Sequence, residues 1–124
     1  MSNKLARLLS KLEQQLTAGD LVRAEISLNK ALKIKPRDPQ LWHQLGAVRF
    51  SIGNLNSACE AFERAVGCDE GNHVLMSDLG AMYMHLNRYS DAVREFEKAL
   101  SIEPDFFDAK YNLATALVKS EHYG

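Results

Sequence analysis

The chain has 124 residues, of which 46% are hydrophobic and 25% charged, and its net charge is −1. This composition excludes an intrinsically disordered protein. Positive and negative residues are interleaved, so no strong field draws the whole chain to nucleic acid or to an anionic membrane, and no apolar run approaches the roughly 18 residues of a transmembrane helix.

The first predicted element is an amphipathic helix in the opening residues MSNKLARLLSKLEQQL. Lys4, Arg7 and Lys11 interrupt its leucines, so the segment lacks the uninterrupted apolar core of a signal peptide. We therefore expect an intracellular, cytoplasmic protein.

A pattern of residues in the middle of the chain recurs after 34 residues. Leu45, Gly46, Ala58, Phe62 and Ala65 come back as Leu79, Gly80, Ala92, Phe96 and Ala99. A fixed return of this length indicates a helical repeat with two helices per unit. The predicted repeats cover residues 5–38, 39–72 and 73–106, with a partial repeat at 107–124, and together they form one domain over residues 1–124.

Each repeat is predicted to contain two helices and a tight turn, because its apolar residues recur at steps of three and four. Gly53 ends the first helix of the second repeat, and Asn87 takes that place in the third; both residues tolerate a left-handed backbone. Pro104 follows a second helix, where proline ends a helix. Asp38 and Pro39 start the next one as a capping acid and a first-turn proline.

Small and large residues alternate at fixed repeat positions. Gly46 and Gly80 are expected to let the two helices of a repeat approach closely. Phe62 and Phe96 are expected to fill the space between neighbouring repeats.

The end of the sequence is predicted to be an incomplete repeat. Residues 107–120 form its first helix and residues 121–124 its turn, and no second helix follows. We expect a longer natural chain, and an open apolar end at Leu113, Leu117 and Tyr123.

The repeat pattern resembles the tetratricopeptide repeat. In the second repeat the matching residues are Trp42, Leu45, Gly46, Gly53, Ala58, Phe62 and Ala65; in the third they are Leu79, Gly80, Tyr83, Tyr89, Ala92, Phe96, Ala99 and Pro104. The resemblance implies an all-α fold, a right-handed superhelix of helix hairpins. It also implies that the first helices line a concave groove that binds peptides or partner proteins, without catalysis.

This arrangement places a mostly polar set of residues in the predicted groove. Its main members are His43, Gln44, Ala47, Phe50, Asp78, Ala81, Met84, His85, Asp108, Tyr111, Asn112 and Lys119. Further members are Leu9, Ser10, Glu13, Thr17, Gln40, Val74, Ser77 and Thr115. The 34-residue ladder of Gln44, Asp78 and Asn112 is suited to hydrogen-bonding an extended backbone; the alternative is a solvated polar helix face.

Some co-chaperones of this family hold a C-terminal carboxylate with lysine, asparagine and arginine. Here Asp78 stands in place of the asparagine, and Asp108 and Asn112 in place of lysine and arginine. Because Asp108 would repel a carboxylate, we do not expect this clamp.

No catalytic, cofactor or metal motif is present in the sequence: His43, His73, His85 and His122 lack ligand spacing. We therefore expect a non-catalytic interaction module that binds a protein or peptide, without a cofactor and without nucleic acid or membrane as partner. Two alternatives stay open. The chain is the repeat arm of a larger enzyme, such as a glycosyltransferase or sulfotransferase-like protein, or it is a scaffold that self-associates through its open end.

Overall fold

The chain is all-helical in a computed structural model, which describes residues 3–123 and the side chains of residues 3–121. Its helices are α1 (Asn3–Ala18), α2 (Leu21–Ile34), α3 (Pro39–Ile52), α4 (Leu55–Cys68), α5 (His73–His85), α6 (Tyr89–Ile102) and α7 (Phe107–Tyr123). No strand occurs in this described part, and the predicted all-α fold class is confirmed.

The helices fall into two compact units, residues 1–68 and residues 69–124. In unit 1, α1 packs on α2, α2 on α3, and α3 on α4. In unit 2, α5 packs on α6 and α6 on α7, and α5 also touches α7. The single domain inferred from the sequence stays a prediction.

Unit 1 is held by a leucine-rich core with a few polar ties. Leu28 and Leu45 are fully buried. The hydroxyl of Ser27, also buried, donates to Oε1 of Gln15 at 2.7 Å, which satisfies its hydrogen-bonding group between α2 and α1. Arg49 of α3 lies 3.8 Å from a carboxylate oxygen of Glu25 on α2, and it donates to the carbonyl of Ser57 on α4 at 3.2 Å.

Each of the two central hairpins closes on a glycine–phenylalanine contact. A Cβ placed on Gly46 would lie 3.0 Å from the Phe62 ring, and one placed on Gly80 would lie 2.6 Å from the Phe96 ring. The glycines therefore do allow close helix approach. The rings of the two phenylalanines pack against the glycines of their own hairpins, and their expected role between neighbouring repeats stays a prediction.

The predicted caps and turns are present. The side chain of Asp38 accepts from the backbone N–H groups of Gln40 and Leu41, and Pro39 occupies the first turn of α3. Gly53 has φ +99° at the end of α3, and Asn87 has φ +60° between α5 and α6. These left-handed residues stop the first helices and reverse the chain.

Asn87 supports a stability prediction. Replacing it with alanine should lower the free energy of unfolding by about 1 kcal/mol, since non-glycine residues without a short polar side chain pay about 1–2 kcal/mol in the left-handed region. The hydrogen bond from the Tyr89 hydroxyl to Asn87 Oδ1, 2.8 Å long, is lost as well. Urea denaturation measures the change. Asn87→Gly is the control and should stay within about 0.5 kcal/mol of the parent; an equal loss in both variants would contradict the conformational explanation.

The end of α7 differs from the prediction. A turn was expected from Glu121 onward, but the helix continues to Tyr123. Glu121 occupies the repeat position of Gly53 and Asn87, and glutamate favours helix where those residues break it. Gly124 and the side chains of His122 and Tyr123 lie outside the described residues.

Among the described helices, none is both long enough and apolar enough to cross a bilayer.

Candidate functional site

The predicted groove residues lie on the first helices of the hairpins, α1, α3, α5 and α7. Short connections join α1, α3 and α5 to the second helices of their hairpins, and α7 is the last helix of the described part. Each of these four helices carries exposed residues beside its buried ones. Because the two units are separate bodies, the candidate surface has two parts, one on α1 and α3 and one on α5 and α7.

In unit 1 the structure brings Gln44 of α3 to the side of α1. Gln44 lines a shallow depression of about 400 Å³ together with Leu9, Leu12, Glu13, Leu16 and Thr17. The three leucines make the floor apolar, whereas Glu13, Thr17 and Gln44 supply polar groups. Ligand sites in proteins commonly combine an apolar lining with a few polar groups.

A second shallow depression continues along α1. It has a volume of about 490 Å³ and is lined by Ser10, Glu13, Gln14, Thr17 and Ala18. Glu13 and Thr17 belong to both depressions, so the two form a continuous surface. Sequence reasoning had placed Glu13 and Thr17 on this side of α1, and it had missed Leu12 and Leu16, which face the core more than the solvent.

The remaining predicted groove residues of α3 are accessible to different degrees. Ala47 is exposed and Phe50 is 38% exposed. His43 is half-buried, with its ring edge-on to Phe62 at a centroid distance of 5.4 Å. His43 therefore contributes to the packing of its own hairpin, and its place in the groove stays a prediction.

In unit 2 the predicted residues divide between α5 and α7, which touch each other. On α5, Asp78, Ala81 and Met84 are half-buried and His85 is exposed. Ser77 was expected in the groove, but it is only 5% exposed and is not available to a ligand.

On α7 the predicted residues include the most exposed aromatic surface of the site. Tyr111 is 66% exposed and stacks on Phe107 at a centroid distance of 6.5 Å. Phe107, 72% exposed, was missed as a site residue; its spacing of four from Tyr111 on one helix face was the signal. Asp108 is exposed and Asn112 is half-buried.

The charges of the candidate surface are mainly acidic. Glu13 contributes a carboxylate to the unit 1 surface, and Asp78 and Asp108 contribute carboxylates to unit 2. Lys119 is the predicted cation of the set, and its Nζ lies 5.7 Å from the centre of the Tyr89 ring. This cation–π contact directs Lys119 to the start of α6. Among these predicted groove residues, carboxylates therefore outnumber lysine and arginine side chains.

The predicted open end is partly exposed. Leu117 is 46% exposed and Leu113 is half-buried, while the side chain of Tyr123 is outside the described part. Within the residues that the structure describes, no group of three or more histidine, cysteine, aspartate or glutamate side chains is arranged to hold a metal ion.

Comparison with known proteins identifies the repeat. The sequence profile of the tetratricopeptide repeat matches residues 39–72, and a TPR repeat profile matches residues 80–120, together more than half of the chain. The peroxisomal targeting signal receptor of Saccharomyces cerevisiae is 27% identical over 89 residues, which is 72% of this chain and 14% of the receptor. The STIP1 homolog of Dictyostelium discoideum is 32% identical over 74 residues, which is 60% of this chain and 13% of that protein. The chain thus spans a small part of the length of these curated relatives.

Solved structures show the same fold. The first TPR of Spaghetti (RPAP3), bound to the HSP90 peptide SRMEEVD, superposes with a TM-score of 0.81 at 22% identity, covering 94% of this chain and 92% of that one. An O-GlcNAc transferase variant from Thermobaculum terrenum superposes with a TM-score of 0.74 at 26% identity, covering 94% of this chain and 23% of the transferase. With the glycine–phenylalanine hairpins and the two profile matches, these similarities establish that the chain belongs to the tetratricopeptide repeat family.

Proposed function

We propose that this chain is a non-catalytic binding module that holds an extended peptide or a segment of a partner protein on the open faces of its first helices, inside the cell. The observation that carries the proposal is the depression between α1 and Gln44, with its leucine floor and its polar groups. Membership of the tetratricopeptide repeat family supports it. So do relatives that are named as a targeting signal receptor and as a STIP1 homolog.

The ligand that suits this surface best is neutral or basic. Two carboxylates, Asp78 and Asp108, lie on the unit 2 face, and Glu13 lies on the unit 1 face. A carboxylate ligand would meet like charges there, whereas a lysine or arginine side chain would gain charge-assisted hydrogen bonds. The RPAP3 domain binds an acidic peptide, SRMEEVD; we do not expect this chain to bind that peptide.

Affinity capture tests the proposal. The chain is immobilised and exposed to lysate of the source cell, beside the variant Asp78→Arg, Tyr111→Ala. The proposal expects a partner that the parent retains and the variant loses, because the variant adds a cation and removes an exposed aromatic ring at the groove.

The matched control is Glu97→Arg, Ile52→Ala, which makes the same kind of charge change and also removes an exposed apolar side chain. Glu97 and Ile52 are both exposed and outside the predicted groove. The control should retain the partner. If both variants still retain the partner, or if both lose it, groove binding is contradicted.

A second function is favoured by the transferase similarity: the chain is the non-catalytic repeat arm of a larger enzyme, such as a glycosyltransferase. The supporting observation is the T. terrenum O-GlcNAc transferase, in which a region equal to 23% of the chain superposes on 94% of this one. The natural gene product decides between the two. A reading frame that continues into an α/β catalytic domain supports the arm; a frame without such a domain excludes it.

A third function is self-association through the open end of α7, for which Leu117, 46% exposed, is the supporting residue. The substitution Leu117→Glu should then abolish any concentration-dependent increase of molar mass in light scattering. A chain that stays monomeric at high concentration excludes this function.

A further inference from the structure

Charge is divided unequally between the two units. Residues 1–68 contain ten lysines and arginines against six aspartates and glutamates, whereas residues 69–124 contain five against ten. The near-neutral net charge of the whole chain is therefore the sum of a basic first unit and an acidic second unit. Opposite charges on separate units can steer two copies of a chain toward each other.

The two units also differ in how their basic residues are paired. In unit 2, each lysine and arginine has a partner. Four of them form ion pairs with carboxylates: Arg88 and Arg94 with Asp91, Lys98 with Glu95, and Lys110 with Asp105. The fifth, Lys119, lies over the ring of Tyr89. In unit 1, Lys30 and Lys33 of α2 make no ion pair with any residue from 3 to 121. These two lysines are available to an outside carboxylate.

Lys30 and Lys33 belong to an unusual stripe on the outer face of α2. The stripe consists of Val22, Ile26, Lys30 and Lys33, which are spaced at helical steps of four, four and three. Val22 is 68% exposed and Ile26 is 51% exposed. The same repeat positions hold Asn56, Glu60, Arg64 and Gly67 in α4, and Ser90, Arg94, Lys98 and Ser101 in α6. The α2 stripe therefore combines apolar and basic groups where the other second helices are polar.

Unit 2 presents a surface of complementary chemistry, the acidic loop, formed by Ile102, Glu103, Asp105, Phe107 and Asp108. Ile102 is 44% exposed and Phe107 is 72% exposed, and the side chain of Asp105 is 94% exposed. Phe106 packs edge-on against His73 of α5 at a centroid distance of 5.0 Å. This contact fixes the loop on the unit, so its exposed groups are held in place before binding.

We propose that the α2 stripe docks on the acidic loop of a second copy of this chain. Lys30 and Lys33 meet carboxylates such as Asp105 and Asp108, and Val22 and Ile26 meet Ile102 and Phe107. Each copy carries one stripe and one loop, so the contact is heterologous, with a different surface on each side. The surfaces are small, so the association is weak and sensitive to salt.

Charge reversal tests the contact. In light scattering and sedimentation at low salt, the molar mass of the parent chain should rise with concentration. Lys30→Glu, Lys33→Glu should lose this rise, and so should Asp105→Lys, Asp108→Lys. Lys4→Glu, Lys11→Glu is the matched control: it removes two exposed lysines of α1 that make no ion pair with any residue from 3 to 121, and it should associate like the parent.

The decisive experiment mixes the two variants that no longer associate on their own. The stripe variant keeps a native loop and the loop variant keeps a native stripe, and the reversed stripe and reversed loop are again opposite in charge. An equimolar mixture should therefore associate, although each variant alone stays monomeric. Only folded variants can pair, so the mixture also controls for folding. A mixture that stays monomeric while both variants keep the helical circular dichroism of the parent would overturn the proposal.

The salt and concentration dependence of association in the parent chain distinguishes this contact from other interactions of the chain. High salt should abolish association, because charge pairs are screened; association that survives high salt and is lost in Leu117→Glu would assign the contact to the open face of α7. A parent chain that is monomeric at all concentrations also overturns the proposal. If the monomeric chain instead binds phosphatidylserine vesicles, or an acidic peptide, through Lys30 and Lys33, the proposed contact between two copies is likewise overturned.

Discussion

Replacing Gly80 with leucine should lower the free energy of unfolding by about 2 kcal/mol. A Cβ at this position would already lie 2.6 Å from the nearest carbon of the Phe96 ring, and two further ring carbons lie within 2.9 Å. Overpacking of this kind costs about 1–3 kcal/mol and occasionally more, and we expect the upper end because leucine adds three atoms beyond Cβ. The gain in helix propensity offsets only about 0.8 kcal/mol. At about 4 °C per kcal/mol, the melting temperature should fall by about 8 °C.

Gly67→Leu is the matched control for this prediction. Gly67 lies in α4, and a Cβ there would meet no atom within 4 Å. The same substitution should therefore leave the melting temperature unchanged or slightly higher, because leucine favours helix more than glycine does. Thermal denaturation followed by circular dichroism compares the two. Equal melting temperatures for the two variants would contradict the close packing of α5 on α6.

Phe96→Ala should have the larger effect, a loss of about 3–5 kcal/mol in the free energy of unfolding, which is the usual cost of removing a buried aromatic ring. Phe96 is fully buried and is one of the largest such side chains among the described residues. Phe107→Ala is the control on the same unit: Phe107 is 72% exposed, so its removal should cost about 0.5 kcal/mol or less. Urea denaturation of both variants measures the difference, and similar losses would contradict the assignment of Phe96 to the core.

Combining the two substitutions tests whether Gly80 and Phe96 act as a pair. In the Phe96→Ala background the leucine at position 80 can occupy space that the ring has left. The double variant should therefore be more stable than the sum of the two single losses predicts, by about 1 kcal/mol or more. Additive losses would show that the leucine and the ring do not compete for the same space.

The fold could be predicted largely from the sequence, because its main signals are local. The 34-residue return identifies the hairpins, and Asp38, Gly53 and Asn87 mark helix ends through their own backbone preferences. The prediction for the end of α7 was wrong, because the repeat register suggested a turn at a position where Glu121 favours helix. The register gives the expected place of a turn, while the residue at that place decides whether the turn forms.

Packing partners were less predictable than helices. The periodicity shows that Phe62 and Phe96 are buried, but it does not show which helix their rings contact. Ser77 was placed in the groove by helical geometry and is buried, because the neighbours of a helix face depend on tertiary packing that no local pattern contains. For the same reason, the sequence predicted that Glu13, Thr17 and Gln44 share a surface but did not predict the apolar floor that Leu12 and Leu16 add to that depression.

The most direct test of the central claim, that the first helices bind the partner, is a nuclear magnetic resonance titration of the chain with the captured partner peptide. A 13.9 kDa chain is well suited to it. We expect the largest amide shifts at groove positions such as Gln44, Ala47, Ala81 and Asn112. Outer positions such as Glu60 and Lys98 should shift little. Shifts concentrated on the outer faces of α4 and α6, with the groove positions unchanged, would contradict it.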